Sequence, residues 1–98
     1  MAFTDEIIQK VWDKATVIRN YDEKKFRKDQ CKAWIVRNEY GNRKSDYGWE
    51  IDHITPVSAG GRDILSNLRP LHWENNLTKS DGRLICTTTS EGVKNKTK

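Results

Sequence analysis

Four residues in the second half of the chain have types and spacing suited to chemistry on a phosphate ester: Asp52, His53, Asn67 and Asn76. His53 can take a proton near neutral pH, because imidazole titrates there. Asp52 offers a hard anionic oxygen and Asn76 a neutral carbonyl oxygen, the ligand types that Mg²⁺ prefers while it keeps several waters. Lys79 follows Asn76 by three positions, so on a helix the two share a face and the ammonium is available to a phosphate. A lone Asp-His pair would carry almost no information. The ordered set Asp52-His53, Pro56, Gly60-Gly61, Asn67-Leu68, Asn76 and Lys79 carries much more.

That set, spread over Trp49 to Asp81, about a third of the chain, resembles the HNH endonuclease family of the ββα-metal nucleases. The resemblance implies an α+β fold: a ββα-metal (HNH) motif over about 49–81, with an added amino-terminal helix. It implies a metal-dependent endonuclease that hydrolyses phosphodiester bonds, DNA favoured, with His53 as the base that activates water beside one Mg²⁺ or Mn²⁺. Asp52 and Asn76 would be the metal ligands. Asn67 would hold the loop through backbone hydrogen bonds and so orient His53. Lys79, His72 and Arg62 are the expected nucleic-acid contacts, with His72 open to a second reading as a helix-start or supporting residue. Asn at the third motif position, where relatives often carry His, favours magnesium over zinc because an amide oxygen replaces a softer imidazole. Paired CxxC elements that hold a structural zinc in many relatives are missing, so no structural zinc is expected. Two other readings stay open: a catalytically silent nucleic-acid-binding module of the same fold, and a nuclease toxin domain. One physical difficulty accompanies the resemblance. Adjacent strand residues point to opposite faces, so Asp52 and His53 can share a site only if the strand twists or ends between them, as the resemblance implies.

The elements that must position these residues can be read in outline. Ile7, Ile8, Val11, Trp12, Ala15 and Ile18 fall at helical spacing, which predicts an amphipathic helix over Thr4–Ile18 with Thr4 as cap and Asp5 and Glu6 in its first turn. Asn20 to Asp29 is polar and reads as a loop or short helical turn. Lys32–Tyr40 and Tyr47–Ile54 read as strands, Pro56–Ser66 as a loop, Leu68–Leu71 as a short apolar piece and His72–Lys79 as a helix stopped by Asp81-Gly82. Trp12, Trp34, Trp49 and Trp73 are expected in the core rather than against bases.

Composition sets the frame. At 98 residues, with 35% hydrophobic and 33% charged residues, one lightly built domain over 1–90 is expected, followed by a flexible basic tail over 91–98. The tail holds three Lys and one Glu, which is +2 of the formal +4, so the remainder is only mildly basic. Two basic runs, Lys24-Lys25-Arg27-Lys28 and Arg37-Arg43-Lys44, read either as phosphate-binding stripes or as solvated faces. Cys31 and Cys86 stand far apart and are expected to be reduced thiols of a cytoplasmic protein, although a disulfide is an open alternative. No apolar run of about 18 residues suggests a membrane span, and no secretory signal is expected at the start. The oligomeric state is left open.

Overall fold

The computed structural model describes residues 3–79 and 83–98. Helix α1 (Asp5–Trp12) begins as its sequence dictates: the Thr4 hydroxyl accepts from the Ile7 N–H, and Asp5 and Glu6 lie in the first turn. It ends at Trp12, six residues before the expected limit. The Arg27 guanidinium collects the Asp13 and Ala15 carbonyl oxygens at 3.0 and 3.2 Å, which satisfies acceptors that further helix would have used. Thr16 and Val17 then turn away as strand β1 (Thr16–Val17), the conformation that β-branched residues favour.

β1 pairs antiparallel with β2 (Phe26–Lys28), and β2 with β3 (Trp34–Val36). β2 lies inside the polar stretch read as a loop, and Lys32–Tyr40 is strand only over β3, followed by a 3-10 turn at Arg37–Glu39. Next, β4 (Trp49–His53) pairs antiparallel with β5 (Leu68–His72), and α2 (Trp73–Leu77) follows directly. The stop expected at Asp81-Gly82 lies outside the described residues. The tail read as flexible from residue 91 instead forms a hairpin, β6 (Thr88–Glu91) with β7 (Lys94–Thr97). A two-residue turn joins them, with Gly92 at φ +63°, where glycine carries no steric penalty. Helix and strand content together make the fold α+β.

Ile8, Val11, Trp12 and Ala15 pack on Ile35, Trp49, Ile51 and Leu68, with Phe3, Ile7 and Tyr40 closing the margin. This is a single small core, and polar clasps tie the rest to it. Asp29 is buried; its Oδ1 accepts from the Cys31 and Ala33 N–H groups, and its Oδ2 from the His72 N–H and Asn75 Nδ2. Asn75, fully buried on α2, also donates to the Thr88 carbonyl and accepts from the Thr88 N–H, which binds the terminal hairpin to the helix. Asn95 adds a second tie, with its side-chain amide bridging the Trp34 N–H and carbonyl. Cys31 and Cys86 are joined in a disulfide, which overturns the expectation of reduced thiols and removes the ground on which a cytoplasmic setting was expected. Among the described residues no helix is long and apolar enough to cross a membrane.

Candidate active site

Strand alternation organises the site. On β4, Trp49 and Ile51 point into the core, so Glu50 and Asp52 lie together on the opposite face. α2 lays its polar side on that face. The His72 ring caps it by accepting the Glu74 N–H, and the Trp73 N–H bonds the Gly48 carbonyl. Asn76 on this helix meets Glu50; the helix stops at Leu77, two residues short of the expected Lys79, and Lys79 meets Asp52 from the segment that follows it.

Asn76 Nδ2 donates to Glu50 Oε1 at 2.8 Å, which fixes the amide with its carbonyl oxygen left over as a ligand. Glu50 is also gripped by Arg43, at 2.6 and 2.9 Å in a two-pronged pair. Burial pushes the Glu50 carboxyl up, but the hydrogen bonds from Arg43 and Asn76, with the Arg43 charge, outweigh it and hold the group below its ordinary value. Asp52 is buried. Its Oδ2 accepts from Arg69 Nε at 2.7 Å, and its Oδ1 meets the Lys79 ammonium, which also bonds the His53 carbonyl at 3.1 Å.

His53 stands apart from this cluster. The β-ladder runs through both residues, Asp52 opposite Arg69 and His53 opposite Leu68, so the strand ends at His53 and not between the two. The His53 ring lies instead near Phe3, with centroids 6.1 Å apart, and its Nε2 is 2.5 Å from Asp63 Oδ1. Among the described residues no hydrogen bond joins the ring to Asp52, Asn76 or Lys79.

Asn67 spans the loop that leaves β4. Its Oδ1 accepts from the Thr55 N–H at 2.8 Å, and its Nδ2 donates to the Thr55 and Arg62 carbonyls at 3.1 and 3.0 Å. The glycines allow this path: Gly60 has φ +91°, and a Cβ on Gly61 would sit 1.7 Å from the Thr55 carbonyl oxygen. The Arg62 side chain is exposed at the loop surface. His72 is corrected: it is fully buried, with Nδ1 taken by the Glu74 N–H and Nε2 bonded to the Asp46 carbonyl, so neither nitrogen can reach nucleic acid. The first basic run is also corrected at Arg27, which is buried against Trp12 and spends its donors on backbone carbonyls.

Residues 38–82 match the HNH endonuclease family. No curated protein and no solved structure gives a significant match to the chain. The HNH segment covers β4, β5 and α2, and thus Asp52, His53, Asn67, Asn76 and Lys79 together. Four neighbours of these residues, Glu50, Arg43, Asp63 and Arg69, were not named as site residues in the sequence. Glu50 was findable, since it stands two positions before Asp52 and therefore on the same strand face. Arg43 was read only as part of a basic run, Arg69 is placed by the register that sets it opposite Asp52, and Asp63 carried no local signal in its loop. Among the described residues no three His, Cys, Asp or Glu side chains converge as a ready cation cage. Asp52 and Asn76 carry the hard oxygen donors that a divalent ion would take, and both Asp52 oxygens are held by Arg69 and Lys79.

Proposed function

We propose that this protein is a metal-dependent endonuclease acting on nucleic acid, DNA favoured, and that β4, β5 and α2 serve as its ββα-metal motif. The observation that carries the reading is the meeting of Asn76, on α2, and Lys79, just past its end, with the Glu50–Asp52 face of β4, inside a segment of nuclease sequence type.

Phosphodiester hydrolysis needs an activated water, charge neutralisation at the phosphate and help for the departing oxygen. A bound Mg²⁺ or Mn²⁺ would supply the neutralisation, with Asp52 and Asn76 as its protein ligands. Glu50 holds the Asn76 amide so that its oxygen remains available. His53 takes the proton from water as general base. Asn67 keeps the loop beside His53 in one conformation. Lys79 has the stem length to exchange Asp52 for a phosphate, and Arg62 can meet the backbone from the loop.

The test is incubation of purified protein with supercoiled plasmid, with and without Mg²⁺ or Mn²⁺. Metal-dependent conversion to nicked or linear DNA is expected. His53→Ala should cost two to four decades in rate, about the usual contribution of a general base, with little change in DNA binding. Asp52→Ala should abolish the metal-dependent rate. One feature favours a second reading, a silent nucleic-acid-binding module: both Asp52 oxygens are already held by Arg69 and Lys79. DNA binding with no cleavage under any divalent ion would establish that reading instead.

A further inference from the structure

We propose that Asp63 is the positioning residue for His53, holding the imidazole in the tautomer protonated at Nε2 and leaving Nδ1 as the free proton acceptor. This rests on the reading of His53 as the base. A carboxylate can only accept, so across the 2.5 Å contact the ring must donate from Nε2. In a neutral ring the lone pair then sits on Nδ1, the nitrogen on the other side. Both side chains are partly shielded, 21% and 33% exposed, which strengthens their pairing relative to open solvent. Phe3 stands beside the ring, with centroids 6.1 Å apart.

The loop is built to hold Asp63 in place. Asn67 Nδ2 bonds the carbonyl of Arg62, the residue before Asp63, and the Gly61 N–H bonds the Pro56 carbonyl just upstream. The chain of contacts thus runs from Asn67 through the Arg62 carbonyl to Asp63 and on to His53. It gives a physical route by which an Asn that touches neither metal nor water can govern the base. Backbone bonds alone would fix the loop. A carboxylate aimed at a ring nitrogen does something more specific, because it selects which nitrogen is basic.

The experiment compares parent, Asp63→Asn, Asp63→Glu and His53→Ala. Long-range ¹⁵N spectra of the His53 ring in alkaline buffer read the tautomer. Plasmid cleavage reads kcat and KM, and thermal melts read the fold. The parent should show protonated Nε2. Asp63→Asn should lose that preference and lower kcat by about 10–100-fold, the usual cost of removing a residue that orients a working histidine, with KM and melting temperature nearly unchanged. Asp63→Glu should restore part of both. An unchanged tautomer in Asp63→Asn overturns the proposal, whatever the rate. So does a loss of stability with parental tautomer, which would make Asp63 a loop anchor only. Normal cleavage by His53→Ala would remove the base reading, while the spectra would still judge the hold of Asp63. An inactive His53→Ala beside a fully active Asp63→Asn would sink Asp63 alone.

Discussion

Replacing Asn67 by Ala should cost about 2 kcal/mol of stability and slow cleavage at the same time. The side chain makes three hydrogen bonds to the backbone on both sides of the loop, at 2.8, 3.1 and 3.0 Å. Each is worth about 0.5–1.5 kcal/mol net. The loop is open to water, which replaces part of what is lost, so a total in the lower half of the summed range follows. For a domain of this size 1 kcal/mol moves the midpoint by about 4–8 °C, so the melt should fall by about 8–16 °C. Asn67→Asp sharpens the test. It keeps the acceptor for the Thr55 N–H but turns a carboxylate oxygen toward the Thr55 and Arg62 carbonyls, so it should be at least as destabilising as Ala despite its nearly identical shape. Circular dichroism melts of the three proteins, with plasmid cleavage on the same samples, make the measurement. A fall of less than about 4 °C in Asn67→Ala, or an Asn67→Asp variant as stable as the parent, would refute the clamp.

Asp29→Ala leaves four donors without their acceptor, two of them on the segment that starts α2. At about 1–3 kcal/mol for each buried unsatisfied group, the loss rivals the stability of a small domain, so little cooperative melt should remain; a midpoint within a few degrees of the parent would show the hub to be dispensable. Reducing the Cys31–Cys86 bond, which spans 55 residues, should remove about 4 kcal/mol on the chain-entropy estimate; melts with and without reductant should differ clearly, and identical curves would contradict this. Glu50 titrates below its ordinary value when folded, so its contribution is complete above the unfolded carboxyl pKa and is lost as pH falls through the folded one. The stability gap between parent and Glu50→Gln should therefore be constant near neutrality and shrink in acid; a gap that widens in acid would reverse the assignment.

What the sequence disclosed was what local rules govern. The start of α1 followed from Thr4 and its acidic neighbours, and β4 from the partial alternation of Tyr47–Ile54, whereas Leu68–Leu71 was read only as a short apolar piece and proves to be most of β5. The candidate site residues could be named because their order and spacing form a pattern that packing alone does not require. What stayed hidden depends on partners distant in the chain. Arg27 looked like part of a basic surface, yet its guanidinium takes the Asp13 and Ala15 carbonyls, 14 and 12 residues earlier, where α1 has ended. Asp29 in a polar stretch gave no sign that it would gather four donors. The terminal hairpin was masked by its lysines, although Glu91-Gly92-Val93-Lys94 does contain the turn that makes it. The His53 ring, at the end of β4, meets a carboxylate from the loop that follows, a contact no local pattern announced.

Two adjacent asparagines show how scaffold and site share one short helix. Successive residues on a helix point about 100° apart, so Asn75 turns inward to Asp29 and Thr88 while Asn76 turns outward to Glu50. A helix of five residues has no stability of its own in water. α2 exists because His72 caps it, Gly48 receives its first N–H, and Asn75 anchors it to a buried carboxylate and the terminal hairpin. The orientation of Asn76 is therefore decided by residues that never approach a substrate. The disulfide belongs to the same structure, since Cys31 donates to Asp29 and Cys86 lies two residues before Thr88. In a chain with so small an apolar core, the polar clasp behind α2 supplies the rigidity that a larger core would give, and it does so directly beneath the residues whose positions matter for chemistry.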